Sequence, residues 1–209
     1  GFEDPRLALG QLFHVLGHLL DDLRHALSCV VERLHGLLAI GSQGLVMFGT
    51  DAQKKCWLPG IAAGVVVTSF ALTEPEAGSD SGAVRTKAEL AGDHYVLSGS
   101  KRYITNANRA SLFTVMARTD PNQKGGAGVS AFLVPRDLDG VSIGKPEKKM
   151  GQQGAHICDV NFDAVKVPIE NRLGEEGQGF RIAMQVLDRG RLHISSVCVG
   201  VAERLIEEC

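Results

Sequence analysis

The stretch Phe70-Ala71-Leu72-Thr73-Glu74-Pro75-Glu76-Ala77-Gly78-Ser79-Asp80 decides how this chain is read. Before it, Val65-Val66-Val67-Thr68-Ser69-Phe70 is β-branched and aromatic, as a largely buried strand should be. Glu74-Pro75 breaks that strand, and Gly78-Ser79-Asp80 forms a turn rich in backbone and hydroxyl donors. Thr73, Gly78 and Ser79 can therefore point N–H and O–H groups at one ligand. A second segment, Lys101-Arg102-Tyr103-Ile104-Thr105-Asn106, closes another strand pattern with an aromatic ring, a hydroxyl and an amide.

Outward from these two segments the chain divides into three parts. From Pro5 to about Leu38 apolar residues recur at helical spacing, among them Leu12, Leu16, Leu19, Leu23, Leu27 and Leu34. Gly41, Gly44 and Gly49 loosen the next stretch, and Asp51 is the expected N-cap of a short helix over 52–58 that ends at Pro59-Gly60. Beyond Gly64 come short runs at Val65–Leu72, Arg85–Leu90, His94–Leu97, Ser111–Ala117, Val129–Val134 and Ile157–Phe162, a spacing that suggests an antiparallel β-barrel or sandwich. After the loop Gly174-Glu175-Glu176-Gly177-Gln178-Gly179 the helical period returns through Phe180, Ile182, Val186, Ile194, Val201 and Leu205. The expectation is an α+β protein: a helical region at 1–63, a central β-domain at 64–175, and from 176 to 209 the first helix of a bundle.

The bulk properties exclude several classes. The 209 residues are 44% hydrophobic, enough for a core, and 22 Lys plus Arg against 24 Asp plus Glu give a net charge of −2. That balance offers no basic field for nucleic acid and no polybasic patch for anionic membrane. No window reaches the roughly 20 uninterrupted apolar residues of a membrane span, and the first residues carry no signal-peptide pattern. A cytoplasmic chain, or a processed form in the mitochondrial matrix, is expected. The five cysteines (Cys29, Cys56, Cys158, Cys198, Cys209) are odd in number, lack any C-x-x-C pair, and read as reduced buried thiols. His14, His18 and His25 with Asp21 form a stripe about 60° wide on a helix. It lies opposite the leucines, so a solvated face is expected there and no metal site.

Phe70–Asp80 followed by Lys101–Asn106 resembles the flavin-binding signature of the acyl-CoA dehydrogenase family. Further matches are Phe48–Lys54 with Trp57-Leu58-Pro59, Ser130–Val134, Lys149-Met150-Gly151, Leu173-Gly174-Glu175 and Leu187–Arg191. Their order and spacing are specific from about His35 onward, and the text around Phe70 is most similar to short-chain-type members. The resemblance implies FAD as cofactor, an acyl-CoA substrate oxidised to the trans-2-enoyl-CoA, an electron-transferring flavoprotein as acceptor, and a homotetramer as the complete assembly.

By resemblance, Phe70, Leu72 and Thr73 line the isoalloxazine ring, Ser79 reaches the pyrophosphate and the CoA chain, Tyr103 covers a ring face and Thr105 approaches N5, with Gly78 and Ile104 also among the cofactor-binding residues. The bland reading of Thr73, Ser79 and Thr105 is that their hydroxyls close turns on nearby backbone. Asp188, Arg189, Gly190 and Arg191 are similar to the family's acyl-CoA contact segment, although Asp and Arg three apart on a helix also make an ordinary surface pair. Some members place the catalytic glutamate at the position of Gly190, and others far along the C-terminal bundle. The base is thus expected beyond Cys209 and the chain is expected to be catalytically incomplete, with no catalytic residue assigned within it. Glu74, Glu76, Glu175 and Glu176 are not expected to replace the base: Glu74 buttresses its turn, and the last two lie in a solvated loop. The alternative expectation is a non-catalytic remnant or structural module that binds flavin or acyl-CoA.

Overall fold

The computed structural model describes residues 40–209. The leucine-rich segment before Ile40 and its histidine stripe lie outside the described residues. Two short helices, α1 (Ile40–Phe48) and α2 (Asp51–Ala62), lead into eight strands. These are β1 (Thr68–Ala71), β2 (Lys87–Ala91), β3 (His94–Thr105), β4 (Leu112–Arg118), β5 (Val129–Pro135), β6 (Val141–Ile143), β7 (Ile157–Pro168) and β8 (Arg172–Leu173). A 30-residue helix, α3 (Gly179–Glu208), follows. The protein is α+β: helices, then a mostly antiparallel sheet, then a long helix.

The strands run in the order β6-β7-β3-β2-β4-β5-β8, with β1 added in parallel to β4. β4 shares one edge between two neighbours: Leu112 to Val115 pair with β1, and Arg118 pairs with Lys87 of β2. That branching bends the sheet around an apolar core built from Tyr95, Leu97, Phe113, Phe132, Val160 and Val167. A second core of Leu45, Leu112, Met116, Leu133, Ile182 and Val186 joins the outer face of β4 and β5 to the helices. Strands covered on both faces are buried at every position, hence the largely apolar runs at Leu112–Ala117 and Val129–Val134, whose two polar residues are satisfied: Thr114 donates to the Gly41 carbonyl and Ser130 accepts the Gly177 N–H.

Several local expectations are corrected. α2 is capped by Thr50, not Asp51: the Thr50 hydroxyl accepts from the Gln53 N–H at 3.2 Å while the Gln53 side chain accepts from the Thr50 N–H at 2.8 Å. The helix runs on through Pro59 to Ala62, because the burial of Ile61 in the helix-facing core offsets the one backbone bond that proline removes. Gly41 and Gly44 do not loosen the chain but lie inside α1 and let it sit against β1 and β4. A Cβ on Gly41 would meet the Thr68 carbonyl carbon at 2.7 Å. β1 is shorter than the run Val65–Leu72: it begins at Thr68, while Val65 is exposed and accepted into a turn by the Gly60 carbonyl. Of the four described cysteines only Cys158 is buried; Cys56 lies on the outer side of α2, Cys198 on the exposed part of α3, and Cys209 just past its end.

Candidate functional site

The two segments singled out in the sequence lie side by side. Past the end of β1 the chain runs along β3 in the opposite direction: the Arg102 N–H donates to the Thr73 carbonyl at 2.8 Å, and the Ser69 hydroxyl donates to the Thr105 carbonyl at 2.7 Å. Phe70, Leu72, Thr73, Tyr103, Ile104 and Thr105 are therefore brought to one paired edge. Three of these side chains face inward. Phe70 and Leu72 pack into the helix-facing core and Ile104 into the sheet core, so what they present at the edge is backbone.

Tyr103 stands out because its backbone is left-handed, with φ 59°, at a register shift of β3 against β7 between Lys101 and Ile104. Tyrosine pays a steric cost there, which the surrounding pairings hold in place. The bulge turns its ring outward, 52% exposed, beneath the Arg102 guanidinium at 4.9 Å. Asn106 is also left-handed, and its N–H donates to the His156 carbonyl at 2.7 Å.

Gly78 and Ser79 extend from a tight turn in which Glu74 and Ala77 exchange backbone hydrogen bonds at 3.0 and 3.2 Å. Beyond them, Arg118 fixes the chain on the other side. Its guanidinium donates to the carbonyls of Gly82 and Val84 at 2.9 Å, and to those of Gln123 and Gly125 at 2.9 and 3.1 Å. The loop after β1 and the loop after β4 are thus locked together. Among the described residues the hydroxyls of Thr73, Ser79 and Thr105 have no hydrogen-bond partner, and neither does the Thr73 N–H, so these hydroxyls close no turn.

Beneath the edge lies a buried ion pair. Lys101 is fully enclosed, and its ammonium donates to Glu74 at 2.7 Å and to the Leu72 carbonyl at 3.1 Å. Glu74 also accepts the backbone N–H groups of Arg85 and Thr86 at 2.7 and 2.9 Å. Burial pulls Lys101 down to about 8, against the opposing attraction of Glu74. For Glu74 burial pushes up, but Lys101 and the two backbone donors outweigh it and hold the carboxyl below its ordinary range.

The remaining carboxylates are also engaged. Glu76 pairs with Arg85. Glu176 accepts from the Tyr95 hydroxyl at 2.8 Å, and Arg172 donates to that same hydroxyl at 3.0 Å. Glu175 lies 3.6 Å from Arg172. On α3, Asp188 and Arg191 pair with each other at 2.6 Å on the exposed face, Arg189 donates to the Gln43 side chain at 3.3 Å, and Gly190 packs beside Ile40. No hydrogen bond joins 188–191 to the edge of β1 and β3 among the described residues. Sequence reading passed over Lys101, Arg118 and Tyr95 as functional or organising groups, and only the Thr-Glu-Pro turn carried a signal for the first.

Residues 69–165, the span that holds both edge segments, match the family described as acyl-CoA dehydrogenase, middle domain. The chain belongs to the acyl-CoA dehydrogenase family. It is 45% identical over 160 residues to the short-chain specific acyl-CoA dehydrogenase of Clostridium acetobutylicum, covering 77% of this chain and 42% of that one. It is similar to butyryl-CoA dehydrogenase from Megasphaera elsdenii, with a TM-score of 0.75 at 41% identity, over 79% of this chain and 43% of the other. An acyl-CoA dehydrogenase complexed with FAD from Bacillus anthracis superposes with a TM-score of 0.74 at 42% identity, over 79% of this chain and 28% of that one. The chain spans less than half the length of these acyl-CoA dehydrogenases.

Proposed function

We propose that this chain is the flavin-holding part of an FAD-dependent acyl-CoA dehydrogenase that forms trans-2-enoyl-CoA from an acyl-CoA thioester. One observation carries the reading: among the described residues the Thr73 and Thr105 hydroxyls and the Thr73 N–H stand unspent along a single edge, in a relative of an enzyme solved with FAD. The residues fit a planar heterocycle that has acceptors along one rim and gathers negative charge on reduction. Bound FAD would supply the acceptor for the substrate's β-hydride.

The chain's own groups then have separate tasks. Thr73 and Thr105 donate to the ring along its edge, Tyr103 covers a face, and the exposed turn at Gly78-Ser79 meets the pyrophosphate and the CoA chain. Phe70, Leu72 and Ile104 act through backbone. Asp188, Arg189, Gly190 and Arg191 are assigned to acyl-CoA, where an arginine fork suits phosphate oxygens. An electron-transferring flavoprotein as acceptor, a homo-oligomer as the assembled form, and residence in the cytoplasm or mitochondrial matrix belong to the same proposal.

Among the described residues the glutamates beside the edge are engaged, Glu74 with Lys101 and Glu76 with Arg85, and the Asp159 carboxylate accepts the Tyr103 N–H at 3.4 Å, so none is assigned to the substrate α-proton. Weak FAD binding and negligible bleaching by butyryl-CoA are therefore expected. Titration of FAD fluorescence against the chain, followed by anaerobic addition of butyryl-CoA, tests both. Thr105→Val should weaken retention by about 1–3 kcal/mol through loss of one hydrogen bond. FAD binding that is unaffected by Thr105→Val removes Thr105 from the site, and rapid bleaching overturns the view of the carboxylates. Flavin held tightly by the complete protein but never bleached by any acyl-CoA would mark a binding module instead of a dehydrogenase.

A further inference from the structure

We infer that Lys101 is a positioning residue for the bound flavin, acting through one peptide group: its enclosed ammonium grips the Leu72 carbonyl and thereby fixes and polarises the Leu72–Thr73 amide. The inference rests on the flavin reading above and deepens it.

Three features lead there. The Lys101 side chain crosses from β3 to the chain leaving β1, with the Leu72 carbonyl at 3.1 Å and Glu74 at 2.7 Å. Leu72 and Thr73 share one amide, so a cation on the carbonyl withdraws electron density from the N–H at its other end and makes it a stronger donor. That N–H has no partner among the described residues, and the Thr73 carbonyl is itself pinned by the Arg102 N–H. Thr73 is thus held through the carbonyl of the preceding peptide and through its own, while its N–H stays unspent. The enclosed ammonium has three donors and needs acceptors beyond Glu74, and the Leu72 carbonyl is the one that ties it to this peptide.

A strengthened donor favours the ligand state that carries more negative charge. Lys101 should therefore raise the affinity for reduced FAD more than that for oxidised FAD. The expected ratio is about tenfold, equivalent to about 30 mV for a two-electron couple. The charged groups around Lys101 are Glu74, Glu76 and Arg85 on the loop after β1, Arg102 on its own strand and Asp159 on β7. Glu74 is the one in contact. The Cys158 thiol on β7 is pushed up by burial.

The experiment compares wild type and Lys101→Met by FAD titration and by dye-equilibrated reduction potential at pH 7, with free FAD measured in parallel. The expected result is a lower potential in Lys101→Met, with the oxidised form bound nearly as well as in wild type. If Lys101→Met does not fold, wild type alone decides: its preference for reduced FAD over oxidised should fall between pH 7 and 9, relative to free FAD, as Lys101 loses its proton. A folded Lys101→Met with the wild-type potential, or a wild-type preference that is flat across that range, overturns the inference and leaves the flavin reading standing. Failure of wild type to take up FAD at all overturns the flavin reading, and this inference with it.

Discussion

Glu74→Gln tests the ion pair under the edge with a change of one charge and almost no volume. In wild type the carboxylate takes the Lys101 ammonium and the N–H groups of Arg85 and Thr86. A glutamine offers one oxygen and one NH2, so it leaves an enclosed ammonium without its counter-charge and turns a donor towards a donor. Breaking a buried pair in this way costs about 3–5 kcal/mol. For a chain of this size that is about 10 °C in Tm.

The pH dependence identifies the cause. Glu74 in wild type titrates below its ordinary 4.5, so its contribution is present above that value and lost as pH falls through the lowered one. Glutamine has nothing to lose there, and the deficit of the variant narrows towards acid. Lys101 in wild type sits at about 8 against 10.5 unfolded, so stability rises with pH between those values because the unfolded chain holds the extra proton. Without Glu74 its folded value drops further, and the variant begins its rise at a lower pH than wild type does. The deficit should be largest near pH 5–6 and smaller at both ends. Denaturant unfolding of both proteins from pH 4 to 9 measures this, and a deficit that is constant or grows from pH 6 to 8 refutes the assignment of an uncompensated Lys101.

Arg118→Met removes a charged donor from four carbonyls and should cost about 2–3 kcal/mol, less than the sum of four bonds because water reaches part of the loop. Proteolysis should cut first between Gly78 and Val84, and a variant as resistant as wild type would remove Arg118 as the lock. Gly41→Ala drives a methyl group into the Thr68 backbone and should lower stability by about 1–3 kcal/mol; an unchanged unfolding midpoint would show that α1 can shift on β1. Tyr103→Gly relieves a left-handed tyrosine and should raise stability by up to about 1 kcal/mol while weakening FAD retention. Loss of stability in that variant would mean that the Arg102 contact outweighs the backbone strain.

Much of the architecture was legible because it depends on local patterns. The helical period through Phe180 to Leu205 gave α3, and the largely apolar runs gave β4 and β5. The cap of α2 was also written in Thr50-Asp51-Ala52-Gln53, a capping-box spacing, but Asp51 was preferred on propensity alone. β3 extends well beyond the expected His94–Leu97, to Thr105, because a glycine and then a lysine occupy its next inward positions. The two-residue period of Tyr95 and Leu97 continues through Gly99 to a buried Lys101 and breaks only between Lys101 and Ile104, so the pattern is hidden by a glycine and a lysine at inward positions. The exposed apolar residues of α3, from Leu192 to Ile206, could not be told from core in the sequence, since periodicity gives a face and not its cover.

By itself the sequence determined the order of elements, the two edge segments and the family they resemble, because residue type, spacing and turn chemistry act over a few residues. Tertiary structure alone decided that Thr73 lies beside Arg102 and Ser69 beside Thr105, that Arg118 joins two distant loops, and that a lysine lies in the interior. Each of these depends on where a hydrogen bond or a charge finds its partner once the sheet has bent. Lys101 and Glu74 are 27 residues apart, and their pairing follows from a desolvation cost that only the folded core imposes.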